Sequence, residues 1–337
     1  MSDDEPLAGS ASRPTATHLA MESGNQASSA AVAQQVQPKV VVILLNWNNA
    51  HFTAPCIRSL EKSDYSNMHI LVVDNGSQDG SPEALQNDFP NLALIRNGQN
   101  LGFAAGNNVG IRAALEMGAE YVLILNNDTE VDSGLIRELV SMCEADHSIG
   151  ISTPKMYFMN PPNVIWFAGS TVNLWTGTSN HIGCGEIDRG QFDAIAEPGF
   201  ATGCCFLVRA DVLKRLGGFE ERFFIYSEDA DFSLRCRKAG YRIVFNPRGK
   251  LWHKESGTMA KNGGGPGARQ SPLQHYLKAR NGIFVVRRHA SLLQKFISYP
   301  ICTLRMGRRL LYRLLERDWD SARSTAKGLL EGFRAEC

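Results

Sequence analysis

Two acidic stretches of this chain carry residue types that can do chemistry. At Asn126-Asn127-Asp128-Thr129, two amides, a carboxylate and a hydroxyl follow at once on the apolar run Tyr121-Val122-Leu123-Ile124-Leu125. The Asp128 carboxylate suits a hard divalent cation, which takes oxygen donors and can bridge to phosphate oxygens. Taken alone, the four residues read more readily as a polar turn, or as the N-cap of a helix beginning near Ser133. At Ser227-Glu228-Asp229-Ala230-Asp231, three carboxylates crowd together behind a run of aromatic residues. Such a cluster can cap a helix, bind metal, or give one group a raised pKa so that it acts as a base. Mutual repulsion is a cost that a cap does not require, which favours a functional reading. A lone histidine is more often structural. His253, between Trp252 and Lys254, gains weight because a metal at Asp128 needs further protein donors, and histidine serves Mn²⁺-type sites.

These groups must be positioned by the elements around them. Val40 to Leu45 is an unbroken apolar run, typical of a strand covered on both faces, and it ends in Asn46-Trp47-Asn48-Asn49. His69 to Val73 forms a second strand, ending in Asp74-Asn75-Gly76-Ser77, and Leu92 to Ile95 a third. After the third strand comes Asn100-Leu101-Gly102, leading through Gly106, Asn107 and Asn108 into a helix closed by Gly118. Tyr121 to Leu125 is the fourth strand. Alternating strands and helices with short links predict an α/β fold with a doubly wound, mainly parallel sheet. In that topology three polar strand ends (Asn46-Trp47-Asn48, Asp74-Asn75 and Asn126-Asn127-Asp128) face one crevice, where such sheets bind ligands. Gly102, Gly106 and Gly110 are spaced GxxxGxxxG, not GxGxxG, and no GxxxxGK[ST] loop occurs. Both facts weigh against a dehydrogenase and a P-loop ATPase.

The second half is less regular. Residues 151–199 read as loop-rich, with Trp166 and Trp175, and suit an acceptor pocket. Short helices are expected at Asp211 to Leu216 and from Asp231 to Gly240, with a late strand at Arg242 to Phe245 and a mobile glycine-rich loop at 262–267. From Arg287 to Arg317, basic and leucine-rich positions alternate, predicting basic amphipathic helices broken at Pro300. These either lie on an anionic membrane surface or pack on the domain with their basic face in water, and both alternatives stay open.

The chain therefore divides into a disordered tail at 1–38, a catalytic domain at 39–285 and C-terminal helices at 286–337. A formal net charge of +1 gives no electrostatic case for a nucleic-acid partner. The eight cysteines form no CxxC pair, so a reducing, cytoplasmic location is expected, with peripheral contact at the inner face of the plasma membrane left open. Cys204-Cys205 reads as a pair of buried, unreactive thiols.

The ordered strings Leu45-Asn46-Trp47-Asn48, Val73-Asp74-Asn75-Gly76-Ser77, Asn100-Leu101-Gly102-Phe103-Ala104-Ala105-Gly106-Asn107-Asn108 and Leu125-Asn126-Asn127-Asp128-Thr129 resemble the family 2 glycosyltransferases. Gly203-Cys204-Cys205, Gly217-Gly218-Phe219 and Tyr226-Ser227-Glu228-Asp229 continue the match, which looks closest to the rhamnosyltransferase-like branch. The resemblance implies a GT-A fold whose donor is a nucleoside-diphosphate sugar, and whose acceptor is a hydroxyl of a glycan or lipid-linked glycan. It places Asn46, Asn48, Asp74, Asn75, Asn100, Gly102, Asn107, Asn126 and Asn127 along the nucleotide sugar. Asp128 becomes a ligand of Mn²⁺ or Mg²⁺, with His253 in the same shell, and Asp229, paired with Glu228, becomes the base of an inverting transfer. Arg280, in Arg280-Asn281, resembles a late arginine that contacts the diphosphate. Asn126 stands where the family's DxD motif has its first acid. That departure alone supports two alternatives, a non-catalytic nucleotide-sugar-binding scaffold and, less so, a nucleotidyltransferase.

Overall fold

The computed structural model describes residues 37–254 and 270–334. Most of the expected tail and the glycine-rich stretch 262–267 lie outside the described residues. Strands β1 (Val40–Asn46), β2 (Met68–Asp74), β3 (Ala93–Arg96) and β4 (Tyr121–Asn126) alternate with helices α1 (Ala50–Leu60), α2 (Ser81–Asp88) and α3 (Gly102–Glu116). There follow β5 (Thr129–Val131), α4 (Leu135–Ala145), β6 (Ile149–Phe158), β7 (Ile165–Phe167), β8 (Ser170–Asn173) and β9 (Thr178–His181). The rest comprises β10 (Cys205–Arg209), α5 (Ala210–Leu216), α6 (Glu228–Lys238), β11 (Arg242–His253), α7 (Pro272–His289), α8 (Leu292–Leu315) and α9 (Trp319–Arg334).

The main sheet runs β3-β2-β1-β4-β10-β6-β11-β5, with β7 beside β6 and a separate β8–β9 hairpin. β1 pairs in parallel with both β2 and β4, whereas β10 inserts antiparallel between β4 and β6. The sheet is therefore mostly parallel, as expected. Alternation along β1 feeds two cores. Val40, Val42 and Leu44 pack with α1 and α4 residues such as Ile57, Leu60 and Leu139, while Val41 and Ile43 pack with Ile111, Val212 and Phe232. Helix α3 lies directly on β1, because Gly106 and Gly110 leave room for Leu45 and Ile43.

Three expectations are corrected. Residues 151–199 hold four strands or parts of strands, and β6 is ten residues long and almost wholly buried. Pro154 and Lys155 disguised it. Pro154 sits where pairing with β10 has ended and β11 bulges, so its missing N–H breaks no ladder there. Lys155 is fully buried, with its ammonium on Asp188 at 3.0 Å and Asp193 at 2.5 Å. The late strand β11 runs on to His253 through that bulge instead of stopping at Phe245. Pro300 does not break α8; it lies inside the helix, where the Phe296 carbonyl forgoes its N–H partner. Helix α7 spans the expected boundary at 285–286.

A Cβ on Gly110 would lie 2.6 Å from Ile43 Cγ2 and 3.1 Å from Val73 Cγ2. Gly110→Val should therefore cost roughly 1–3 kcal/mol through overpacking. Urea unfolding checks this, and an unchanged midpoint would mean that α3 is not held against β1.

Candidate active site

Register brings the strand ends together. Asn46 pairs with Asp74 across β1–β2, and Leu45 with Asn126 across β1–β4. The strand order reverses between β1 and β4, which makes this edge a topological switch point. Asn46 is fully buried and donates through Nδ2 to Asp74 Oδ1 at 2.8 Å, while its Oδ1 accepts from Thr53 Oγ1 at 2.8 Å. Asn127 Nδ2 donates to the same Thr53 hydroxyl at 2.7 Å, so one side chain at the start of α1 joins two strand ends. Asp74 also accepts from Ser77 N at 3.0 Å and Ser77 Oγ at 2.5 Å, and the Asn48 N–H donates to Ser77 Oγ at 2.7 Å. Thr53 was missed in the sequence because a lone hydroxyl carries no pattern, and Ser77, though part of the Asp74-Asn75-Gly76-Ser77 string, was given no role.

A second knot surrounds Asn75. Its Nδ2 donates to Asn100 Oδ1 at 2.9 Å and to the Gly102 carbonyl at 3.1 Å, and its Oδ1 accepts from Leu101 N at 3.1 Å. Gly102 has φ +81°, and a Cβ there would collide with Phe224 at 2.5 Å, so glycine is required. Asn107 points back along α3, its Nδ2 donating to the Phe103 carbonyl at 2.9 Å.

Asp128 and His253 do meet. Asp128 immediately precedes β5, which pairs antiparallel with the end of β11, and Asp128 Oδ1 lies 3.1 Å from His253 Nε2, both side chains buried. Burial alone would make the imidazole less basic. The Cys204 sulfur and the Asp128 carboxylate beside it outweigh that and hold His253 well above its usual pKa. The donor types fit a divalent cation, since Mn²⁺-type ions take a carboxylate oxygen and an imidazole nitrogen, so Asp128 and His253 would hold it. A cation there would displace the imidazole proton. Among the described residues, no group of three His, Cys, Asp or Glu side chains is arranged to hold a metal ion, so the pair would supply only part of a shell.

Asp229 lies in the first turn of α6 and is tied to the same region through two adjoining residues. Gly203 N–H donates to Asp229 Oδ2 at 2.9 Å, and the adjoining Cys204 carbonyl accepts from Asn126 N at 2.8 Å. Burial raises the Asp229 pKa, opposed in part by the N–H donors of Gly203 and Ala230. A partly protected carboxylate of this kind is a better base than an exposed one. Glu228 is more deeply buried, and burial followed by the Asp229 charge pushes its pKa well up. Its Oε2 makes no hydrogen bond among the described residues. Asp231 anchors α6, accepting from Arg235 Nε and Arg288 Nε at 2.9 Å and lying 2.7 Å from His289 Nε2.

The approach to this pair is strained. Phe224, Tyr226 and Ser227 have φ of 63°, 76° and 70°, conformations that cost a non-glycine residue roughly 1–3 kcal/mol each. Arg280 lies beside this segment, its Nη2 donating to the carbonyls of Arg222 at 2.6 Å and Phe223 at 3.0 Å.

A sequence model of glycosyl transferase family 2 matches residues 41–217, more than half of the chain. The chain belongs to glycosyl transferase family 2. The transferase is 25% identical over 225 residues to an N-acetylglucosaminyl-diphospho-decaprenol L-rhamnosyltransferase of Mycobacterium tuberculosis, covering 61% of this chain and 73% of that one. It is 25% identical over 233 residues to the dTDP-rhamnosyl transferase RfbF of Shigella flexneri, covering 67% and 74%. In structure the transferase resembles the mannosyltransferase PcManGT of Pyrobaculum calidifontis, solved with GDP-Man and Mn²⁺. The TM-score is 0.55 at 17% identity, with 90% of this chain and 89% of that one aligned. The fold is thus of the GT-A type, with helices added at the C-terminus.

Because folding raises the Glu228 pKa, ionising it in the native state is unfavourable, and stability falls as pH rises above the unfolded value of about 4.3. Glu228→Gln should raise the urea midpoint of the transferase at pH 8 and leave it nearly unchanged at pH 4. Equal effects at both pH values would contradict a buried, protonated Glu228.

Proposed function

We propose that the chain transfers a sugar from a nucleoside diphosphate to an acceptor hydroxyl with inversion, using Asp229 as base and a divalent cation held by Asp128 and His253. The observation that carries this reading is the pair of adjoining residues Gly203 and Cys204. The Gly203 N–H donates to the Asp229 carboxylate and the Cys204 carbonyl accepts from Asn126 N, at the strand end leading to Asp128. The two proposed groups thus approach the same strand end from separate elements. A bound Mn²⁺ or Mg²⁺ would neutralise charge developing on the departing diphosphate. Asp229, kept basic by burial, takes the acceptor hydroxyl's proton as that oxygen attacks the anomeric carbon from the face opposite the leaving group. One displacement with a single base leaves no covalent intermediate and inverts the centre.

The donor side is supported by the Asn46–Asp74–Ser77 and Asn75–Asn100–Gly102 knots, which set the loops along the crevice edge. The activities of the two rhamnosyltransferase relatives favour dTDP-rhamnose as donor and a lipid-diphosphate-linked sugar as acceptor. Asp229→Asn should lower turnover of dTDP-rhamnose at least about a hundredfold while dTDP still binds. Asp128→Ala should remove the Mn²⁺ dependence of dTDP affinity measured by calorimetry. Full turnover in the first variant, or unaltered Mn²⁺ dependence in the second, overturns the respective role.

Contact with an anionic membrane belongs to the same reading. Helix α8 buries only a narrow stripe, Ser298, Cys302 and Met306, and turns Leu292, Phe296, Leu304, Leu311 and Leu315 outward, Leu292 86% and Phe296 80% exposed. It carries five basic residues and no acid. Burial and then the neighbouring Arg305 and Arg313 lower the Arg309 pKa, so positive charge is concentrated beside the apolar face. An apolar ridge flanked by cations matches a bilayer with anionic headgroups. No described helix is long and apolar enough to cross a membrane. Co-sedimentation with phosphatidylglycerol vesicles should fall at least about tenfold in Leu304→Glu/Leu311→Glu. Undiminished binding would refute the contact, and self-association lost in the same variant would put a second copy of the chain on this face.

A further inference from the structure

The segment that delivers the base is held by a helix outside the family-matched region. Phe224, with φ 63° and ψ −63°, is the centre of a tight three-residue turn closed by the Ile225 N–H donating to the Phe223 carbonyl at 2.8 Å. This is the rare, strained form of the γ-turn. Tyr226 and Ser227 then also take positive φ before α6 starts at Glu228. Of the five non-glycine residues with positive φ among the described residues, three lie in these four positions. Backbone of this kind persists only where its surroundings over-determine it.

Those surroundings are chiefly Asn281 of α7. Its single Nδ2 donates to the carbonyls of Phe223 at 3.0 Å, Ile225 at 2.9 Å and Tyr226 at 2.8 Å, and the residue is fully buried. Arg280 Nε donates to Asn281 Oδ1 at 2.9 Å, which fixes which end of the carboxamide faces the turn. On the far side the Phe224 carbonyl accepts from Ala104 N at 3.1 Å at the start of α3. Phe223 packs against Phe284 of α7 with ring centroids 4.9 Å apart. Arg280 thus directs Nε to Asn281 and Nη2 to two carbonyls of this segment, while its Nη1 donates to the Tyr276 hydroxyl at 3.3 Å.

We propose that Asn281, oriented by Arg280, is a positioning residue for catalysis, fixing the 223–227 turn so that the Asp229 carboxylate meets the acceptor hydroxyl. The inference rests on Asp229 being the base. Removing the amide takes its donor from the Ile225 and Tyr226 carbonyls, leaves the Phe223 carbonyl to Ile225 N–H and Arg280 Nη2, and frees the turn to relax. Asp229 then shifts relative to Gly203, while the donor knots at Asn46 and Asn75, on other elements, are untouched. A displacement near 1 Å is enough to cost about a hundredfold in rate.

The test compares Asn281→Leu, Arg280→Lys and Asp229→Asn in the full chain. Asn281→Leu is expected to lower kcat with dTDP-rhamnose about a hundredfold. Calorimetric dTDP affinity should stay within about threefold, and amide exchange over residues 222–230 should quicken roughly tenfold with the β1–β4 core unchanged. The acid limb of its pH–rate profile should also move, because the environment that raises the base's pKa has loosened. Arg280→Lys keeps the charge, loses the Nε donor to Asn281, and should show the same pattern more weakly; it also serves if Asn281→Leu fails to fold. Exchange needs no substrate and decides the clamp whatever the donor sugar. Unaltered exchange, or full kcat in a folded Asn281→Leu, overturns the inference. So does a fall in dTDP affinity as large as the fall in kcat, since that would mark Arg280 as a diphosphate contact. Full activity in Asp229→Asn would instead overturn the base assignment itself.

Discussion

The parallel register of β1 with its two neighbours is the constraint on which the rest depends. It sets Asn46 level with Asp74 and one step from Asn126, so polar strand ends that are distant in sequence share one edge. A slip of one residue would exchange the faces of Val40, Val41, Val42 and Ile43. Because both faces are buried, such a slip is resisted by two cores at once. The polar edge is thus specified by apolar packing behind it, with Thr53 and Ser77 as local ties.

On that edge the two carboxylates proposed for chemistry meet different surroundings. Asp128 lies against the Nε2 of His253, a donor set that favours positive charge. Asp229 is made more basic by burial, which the N–H donors of Gly203 and Ala230 oppose only in part. Two acids separated in this way can hold distinct tasks, one electrostatic and one in proton transfer. The antiparallel insertion of β10 makes this possible, since it brings Gly203 and Cys204 to the end of β4 from the opposite chain direction.

The first four strands, the helices between them and the shared crevice were legible because buried parallel strands are continuous apolar runs with abrupt polar ends. The Asp128–His253 meeting was legible only as a requirement for more donors, since the β5–β11 pairing that creates it joins residues 125 positions apart. β6 was hidden by Pro154 and Lys155, whose burial depends on partners at Asp188 and Asp193 that no local pattern reveals. The part played by Asn281 was equally hidden, because a trio of carbonyl acceptors is backbone and leaves no trace in residue identity.

The strained turn before α6 also bears on what counts as a working unit. Residues 41–217 match the family and contain the donor-side strand ends, yet neither Asp229 nor the amide that restrains its approach lies among them. During synthesis the sheet's parallel half can form early, whereas the base loop gains its restraint only when α7 has emerged and docked. On the proposed assignment of Asp229, competence is therefore acquired late, and a fragment ending at residue 217 would lack the base, the turn's restraint and the His253 partner of Asp128.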